Sequence, residues 1–224
     1  MTLAIGEIVR NGVVFDMKNW DDREADKDSL QQVVEQLFDL LDQRQVQYLL
    51  VGGIALLSYV EGRNTQDVNF ILARQSLDNL PELSIVAEDK NFARAIFDQL
   101  QVDLLLTQNP LCKLVLNNYS TERQFGNRLV RCATVEGLIL LKLYALPSLY
   151  RQGQFDKVSI YESDITLLLL RYSVDIKTLM TILDRHILAT DQSELEQIVA
   201  DIQTRLARFS QRQTRLEPKP EADL

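Results

Sequence analysis

Hydrophobic and polar residues recur along this chain with two different periods, and the period changes near residue 134. Before that point, short apolar segments that end at turn residues or alternate with polar positions predict β-strands. These segments cover residues 45–51, 67–72, 84–87, 102–107 and 129–133. After that point, apolar residues recur with the period of amphipathic helices. The pattern predicts an α+β fold, in which a mixed β-sheet flanked by helices is followed by a helical C-terminal region.

Helices are predicted on both sides of this change in period. Ser29 is a suitable N-cap for a first helix, whose apolar stripe runs from Leu30 to Leu41. The other predicted helices cover residues 54–59, 91–99, 134–146, 163–172, 175–186 and 193–209. The predicted organisation is therefore an N-terminal extension at 1–27, a core at 28–133, a helical region at 134–209 and a disordered tail at 210–224, which has little apolar surface to bury.

Composition narrows the class of protein. The 224 residues carry a formal net charge of −8, so we do not expect the broad basic surface of a duplex-DNA-binding protein. One histidine and two cysteines, Cys112 and Cys132, are too few for a zinc cage or a disulfide framework, and the cysteines are expected as buried apolar side chains. No apolar run is long enough to span a bilayer, and the N-terminus lacks a signal-peptide segment. We expect a cytoplasmic protein without membrane contact.

Two glycines follow the first predicted strand directly, in the sequence YLLVGGIALL. Gly52 and Gly53 have no Cβ, so a phosphate group can approach the backbone there. A helix that begins near Ile54 would direct its free amide groups at such an anion. A glycine pair after a strand is also a common turn, and GGIALL lacks the third glycine of the dinucleotide-binding fingerprint. The pair therefore gains meaning only with neighbouring residues.

Oxygen-bearing side chains interrupt two of the predicted strands. Asp67 and Asn69 are two positions apart, so they lie on the same face of a strand. Asp103 is an acid within the apolar run VDLLLT, where an unpaired carboxylate is costly to bury unless it faces water at a sheet edge. Nucleotidyl transfer depends on holding a triphosphate and on neutralising charge with divalent cations, which prefer such oxygen ligands. The pattern predicts a metal-assisted nucleotide site.

The order of these residues resembles a motif of the nucleotidyltransferase superfamily of the DNA polymerase β type, in its small prokaryotic and AbiEii-like toxin members. That motif is a Gly-Gly turn, a helix, the segment Arg-x-Thr-x-Asp-x-Asp and a third acid on a later strand. The matching residues are Gly52, Gly53, Arg63, Thr65, Asp67 and Asp103, with Asn69 in place of the second acid. The resemblance covers roughly residues 46–170, and its later part, which includes Lys142, is looser.

The resemblance implies a specific assignment of roles. Mg²⁺ or Mn²⁺ would be held by Asp67 and Asp103, with Asn69 as a weaker third ligand, because an amide oxygen brings no charge and cannot act as a base. The nucleotide pocket would be formed by Gly52, Gly53, Arg63, Thr65 and Lys142. The implied reaction moves a nucleoside monophosphate from an NTP to a hydroxyl of a protein or a tRNA. An antitoxin partner is also implied.

Other hypotheses remain open at this point. Asn69 also suggests a catalytically degenerate protein that binds nucleotides or works through protein interactions. A purely structural domain that binds no nucleotide is a third hypothesis. Lys142, which lies in an otherwise apolar helix, could extend to solvent instead of contacting a phosphate.

Overall fold

A seven-stranded mixed sheet organises the first part of the chain in the computed structural model, which describes residues 5, 7, 27–61, 65 and 67–216. Its strands are β1 (Tyr48–Val51), β2 (Val68–Leu72), β3 (Ser84–Glu88), β4 (Phe92–Phe97), β5 (Leu100–Leu106), β6 (Ser120–Phe125) and β7 (Arg128–Ala133). They lie in the order β3-β4-β5-β2-β1-β7-β6. Strand β2 pairs in parallel with β5, and β1 in parallel with β7, whereas the other pairs are antiparallel. The predicted mixed sheet is thus confirmed.

The chain divides into two compact units, Met1–Leu141 and Lys142–Leu224. Between residues 27 and 151, the helices are α1 (Lys27–Gln43), α2 (Gly52–Leu57), α3 (Pro110–Asn118) and α4 (Val135–Arg151), which begins in the first unit, with a 3-10 helix at Arg74–Asn79. Helix α1 begins before Ser29, so the prediction of Ser29 as its N-cap is wrong. The extension at 1–27 lies almost wholly outside the described residues.

Helix α3 was not predicted, although its start carries two clear signals. The Asn109 side-chain oxygen accepts hydrogen bonds from the backbone N–H groups of Leu111 and Cys112, at 2.9 and 3.4 Å. Pro110 occupies the first turn, where its missing N–H costs nothing. Leu111, Cys112, Val115 and Leu116 are buried. An N-cap asparagine followed by proline is therefore the local sequence signal that marks the start of this helix.

Aromatic packing marks the core between α1 and the sheet. The ring centroid of Phe38 on α1 lies 5.9 Å from that of Tyr48 and 5.5 Å from that of Phe70, and the Tyr48 and Phe70 centroids are 5.2 Å apart. All three pairs have the edge-to-face geometry that aromatic quadrupoles favour. Tyr48 belongs to β1 and Phe70 to β2. Helix α1 therefore packs against the sheet face that carries both of these rings.

Residues 91–99 were predicted as a helix, and this prediction is wrong, because β4 occupies Phe92–Phe97. The strand alternates between buried Ala93 and Ala95 and partly exposed Arg94 and Ile96, which is the period of a strand. It pairs antiparallel with β5 through a tight turn, where Asp98 has a φ of 54°. Helix-forming alanines and arginine were outweighed by the pairing with β5.

The second unit is helical. It contains the rest of α4, α5 (Phe155–Arg171), α6 (Ile176–Leu183) and α7 (Ala189–Leu216). The predicted helical C-terminal region is confirmed, but α5 begins earlier than predicted and α7 continues to Leu216, into the segment predicted to be disordered. Residues 217–224 lie outside the described residues. In the part of the chain that the structure describes, no helix is long and apolar enough to cross a membrane.

Candidate functional site

The register of the sheet brings the predicted acids together. Asn69 on β2 is paired with Asp103 on the parallel neighbour β5, and Asp103 is paired in turn with Arg94 on the antiparallel neighbour β4. Paired residues of adjacent strands project from the same face. Alternate residues of β5 are buried, whereas Gln101 and Asp103 are partly exposed. A row of polar side chains therefore crosses three strands on an accessible face of the sheet.

Asp67 stands just before β2 and is held by its two polar neighbours. The Thr65 hydroxyl donates a hydrogen bond to Asp67 Oδ1 at 3.0 Å, and Asn69 Nδ2 donates to Asp67 Oδ2 at 2.9 Å. Thr65 is buried, so its hydroxyl is a fixed donor. The two predicted residues that flank Asp67 thus orient its carboxylate. Arg63, which precedes them in the motif, lies outside the described residues.

Asn69 also fills the space beside the glycine turn. Gly52 has a φ of +69°, a region that favours glycine. A Cβ at Gly52 would lie only 2.3 Å from Asn69 Oδ1 and 2.6 Å from Asn69 Cγ. The missing Cβ at Gly52 therefore accommodates the Asn69 side chain. Gly53 follows it as a buried residue of the short helix α2.

Asp103 is bound by an arginine that the sequence analysis missed. Arg94 Nε donates to Asp103 Oδ1 at 2.7 Å, and Arg94 Nη2 donates to Asp103 Oδ2 at 3.0 Å. Gln101 Nε2 is a third donor, at 3.3 Å from Oδ1. Strand β5 lies between β4 and β2, so the alternative that Asp103 faces water at a sheet edge is wrong. Reading residues 91–99 as a strand opposite β5 would have located Arg94.

The electrostatics of this face centre on Arg94. Hydrogen bonding to Asp103 raises the pKa of the Arg94 guanidinium, against the opposing effect of its partial burial, and the charges of Asp103 and Asp67 raise the pKa further. Arg94 is therefore fully charged. One fixed cation serves two carboxylates, which leaves the face with a net negative charge from these three groups.

These residues do not fit a preformed divalent-metal centre. Among the described residues, no group of three His, Cys, Asp or Glu side chains could hold a metal ion. Both oxygens of Asp103 accept from Arg94, and both oxygens of Asp67 accept from Thr65 and Asn69. The amide group of Asn69 turns its donor toward Asp67, where a metal ligand would need to present oxygen. The predicted metal roles of Asp67, Asn69 and Asp103 stay predictions.

Lys142 belongs to the second unit, where its ammonium is buried. Lys142 Nζ lies 2.8 Å from Asp164 Oδ2, and both side chains are almost fully enclosed. The same ammonium stands 4.3 Å from the centroid of the Tyr161 ring, a cation–π distance. The alternative that Lys142 extends to solvent is therefore wrong. The charge of Lys142 is balanced by Asp164. Its role toward a nucleotide stays a prediction.

Solved structures that are similar to this chain include nucleotidyltransferases. The solution structure of the antibiotic-resistance factor ANT(2'')-Ia is 14% identical, with 82% of this chain and 96% of that chain covered, at a TM-score of 0.48. The crystal structure of ANT(2'')-Ia in complex with adenylyl-2''-tobramycin is 12% identical and covers 78% and 98%, at a TM-score of 0.45. An antigenic nucleotidyltransferase-like protein from Paracoccidioides brasiliensis is 16% identical and covers 73% and 90%, at a TM-score of 0.46.

No protein-family model and no curated protein matches the chain.

Proposed function

We propose that the chain is a nucleotidyltransferase, which binds an NTP at the face carrying Asp67 and Asp103 and transfers its nucleoside monophosphate to an acceptor hydroxyl. The observation that supports this proposal most directly is the register of β2 and β5. It brings Asn69 and Asp103 side by side from distant parts of the sequence, with Asp67 hydrogen-bonded to Asn69. Carboxylate oxygens on an accessible sheet face, beside a glycine turn, are the ligand type that a cation bound to a nucleotide takes, although protein donors hold these oxygens in the resting site.

The residues of this face have distinct roles in the proposal. Asp67 is oriented by Thr65 and Asn69, as a group that contacts the nucleotide or its cation must be. Mg²⁺ or Mn²⁺ is the proposed cofactor, although the residues do not fit a preformed centre for it. When bound, such a cation would supply charge neutralisation on the triphosphate. Gly52 and Gly53 provide the turn beside this face.

The acceptor in this proposal is a hydroxyl of a protein or of a tRNA. The net charge of −8 weighs toward a protein, because a tRNA acceptor calls for a basic approach surface. An AbiEii-like toxin role with an antitoxin partner belongs to the same proposal and rests on the sequence motif alone.

Calorimetric titration of each NTP, with Mg²⁺, with Mn²⁺ and with a chelator, tests the proposal. We expect one NTP or more to bind when Mg²⁺ or Mn²⁺ is present, and Asp67→Asn to weaken that binding by about tenfold or more, because the neutral amide attracts the cation of the triphosphate less strongly. Asp78→Asn is the matched control, because Asp78 is an exposed acid of the same unit that forms an ion pair with Arg74. The proposal is wrong if no NTP binds, or if Asp67→Asn binds as the parent does. Transfer itself is then followed with an NTP labelled at its α-phosphate.

A second candidate function is nucleotide binding without turnover. Two observations favour it: the neutral Asn69 at the position of the second acid, and the arginine already bound to Asp103. The variant Asn69→Asp distinguishes the two functions, since it restores a carboxylate without changing side-chain size. Transfer by the parent protein favours the enzyme. A silent parent that gains turnover in Asn69→Asp favours a degenerate enzyme, and a variant that folds without gaining turnover favours a binding protein.

A further inference from the structure

The contact between Arg94 and Asp103 engages both oxygens of the carboxylate. Two hydrogen bonds, of 2.7 and 3.0 Å, join the guanidinium fork to the two oxygens, and Gln101 adds a longer bond. A bidentate guanidinium occupies one lone pair of each oxygen, on the side from which a divalent cation would chelate the carboxylate. A cation that chelates Asp103 from this side must therefore displace Arg94.

The fold holds Arg94 in this position. Arg94 and Asp103 are register partners of adjacent antiparallel strands in the interior of the sheet. The Asp103 side chain is 15% exposed and the Arg94 side chain 38% exposed, so the carboxylate is more enclosed than its partner. Arg94 also interacts electrostatically with Asp67. Its positive charge thus lies near both predicted metal-binding acids and opposes the approach of another cation.

We propose that Arg94 acts as a built-in cation at Asp103 and excludes Mg²⁺ and Mn²⁺ from this carboxylate in the resting protein. This inference rests on the proposed function in that it concerns the same face of the sheet. Under it, the metal affinity of the face is set by Arg94 in addition to the acids. Arg94 must leave Asp103 before a divalent cation can be bound there.

A purely structural ion pair would behave differently. Replacing Arg94 would then change the stability of the protein and leave its metal affinity unaltered. If Arg94 is a built-in cation, its removal exposes a carboxylate that attracts a metal ion. Metal affinity is therefore the measurement that separates the two.

Binding of Mn²⁺ alone, measured from the electron paramagnetic resonance signal of the free ion, tests the inference without nucleotide. We expect Arg94→Gln to bind Mn²⁺ about tenfold or more tightly than the parent, because a positive charge within a few ångströms of the site is gone. The gain should disappear in Arg94→Gln/Asp103→Asn. Arg74→Gln is the matched control, because Arg74 is another arginine of the first unit paired with carboxylates, Glu88 and Asp78. Equal affinity in the parent and Arg94→Gln, or a gain that survives loss of Asp103, would overturn the inference.

A second comparison needs no variant of Arg94, which guards against a failure of Arg94→Gln to fold. The parent and Asp103→Asn are titrated with Mn²⁺, after circular dichroism has shown that both are folded. We expect a decrease in affinity of much less than tenfold, because Asp103 is closed to metal in the parent and the loss of its charge acts on the other ligands only at a distance. A decrease of about tenfold or more in Asp103→Asn would show that the carboxylate already takes metal and would overturn the inference. Because no NTP is present, a failure of the proposed nucleotide binding leaves both metal results interpretable.

Discussion

Substitution of Gly52 by alanine tests whether the missing Cβ at Gly52 makes room for the Asn69 side chain. The new Cβ would lie 2.3 Å from Asn69 Oδ1 and 2.6 Å from Asn69 Cγ, distances that a folded protein does not tolerate. Asn69 must therefore rotate away, which breaks its 2.9 Å hydrogen bond to Asp67. The backbone must also hold alanine at a φ of +69°.

The expected loss of stability follows from these two effects. A left-handed backbone costs a residue with a Cβ about 1–2 kcal/mol. A hydrogen bond to a charged group that is lost on displacement of Asn69 costs about 1.5–3 kcal/mol. We expect Gly52→Ala to lower the free energy of unfolding by about 2–4 kcal/mol, since some relaxation of the turn reduces the sum.

Urea denaturation measures this loss, and two further variants separate its causes. Gly153→Ala has a similar φ of +66°, but its nearest neighbour is Phe155 at 3.9 Å, so it should show the backbone cost alone. Asn69→Ala removes the two closest contacts, so the double variant Gly52→Ala/Asn69→Ala should lose less than the sum of the single variants. Additive losses, or equal losses for Gly52→Ala and Gly153→Ala, would refute the crowding of Gly52 by Asn69.

Two other predictions concern buried groups. Asp164→Ala should lower the free energy of unfolding by about 3–5 kcal/mol, because the Lys142 ammonium stays buried without its carboxylate. The double variant Lys142→Met/Asp164→Leu should lose much less stability. Denaturant titration measures both losses, and equal losses would contradict this prediction. Burial raises the pKa of Cys112 and of Cys132 to about 12, so a thiolate-specific reagent at pH 8 should label neither thiol in the folded protein and both after unfolding. Rapid labelling under native conditions would contradict their burial.

Local sequence signals located five of the seven strands but missed β6 and β4, and β4 matters for the site. The apolar runs of β1, β2 and β5 are too short for helices and end at turn residues, so their type was clear. The segment that became β4 contains two alanines and an arginine, which favour helices locally. Its true structure depends on pairing with β5, a contact that no short window of sequence can reveal.

The candidate site shows the same division between local and distant information. The spacing of Asp67 and Asn69 was sufficient to place them on one face, and strand β5 was sufficient to suggest Asp103. The sequence could not show that Asn69 fills the space at Gly52, because that contact depends on the register of β1 and β2. It also could not show that Arg94 binds Asp103, because that contact depends on the register of β4 and β5.

The tight turn at Asp98 determines which chemical group faces Asp103. Side chains alternate along β4, so a hairpin longer or shorter by one residue would turn Arg94 toward the core and present an alanine to the carboxylate. The number of residues in a surface turn, which belongs to no part of the site, thereby decides whether an acid of the sheet meets a permanent positive charge or open solvent. Insertions and deletions at this hairpin would consequently act as changes in the electrostatics of the site, even where every site residue is retained.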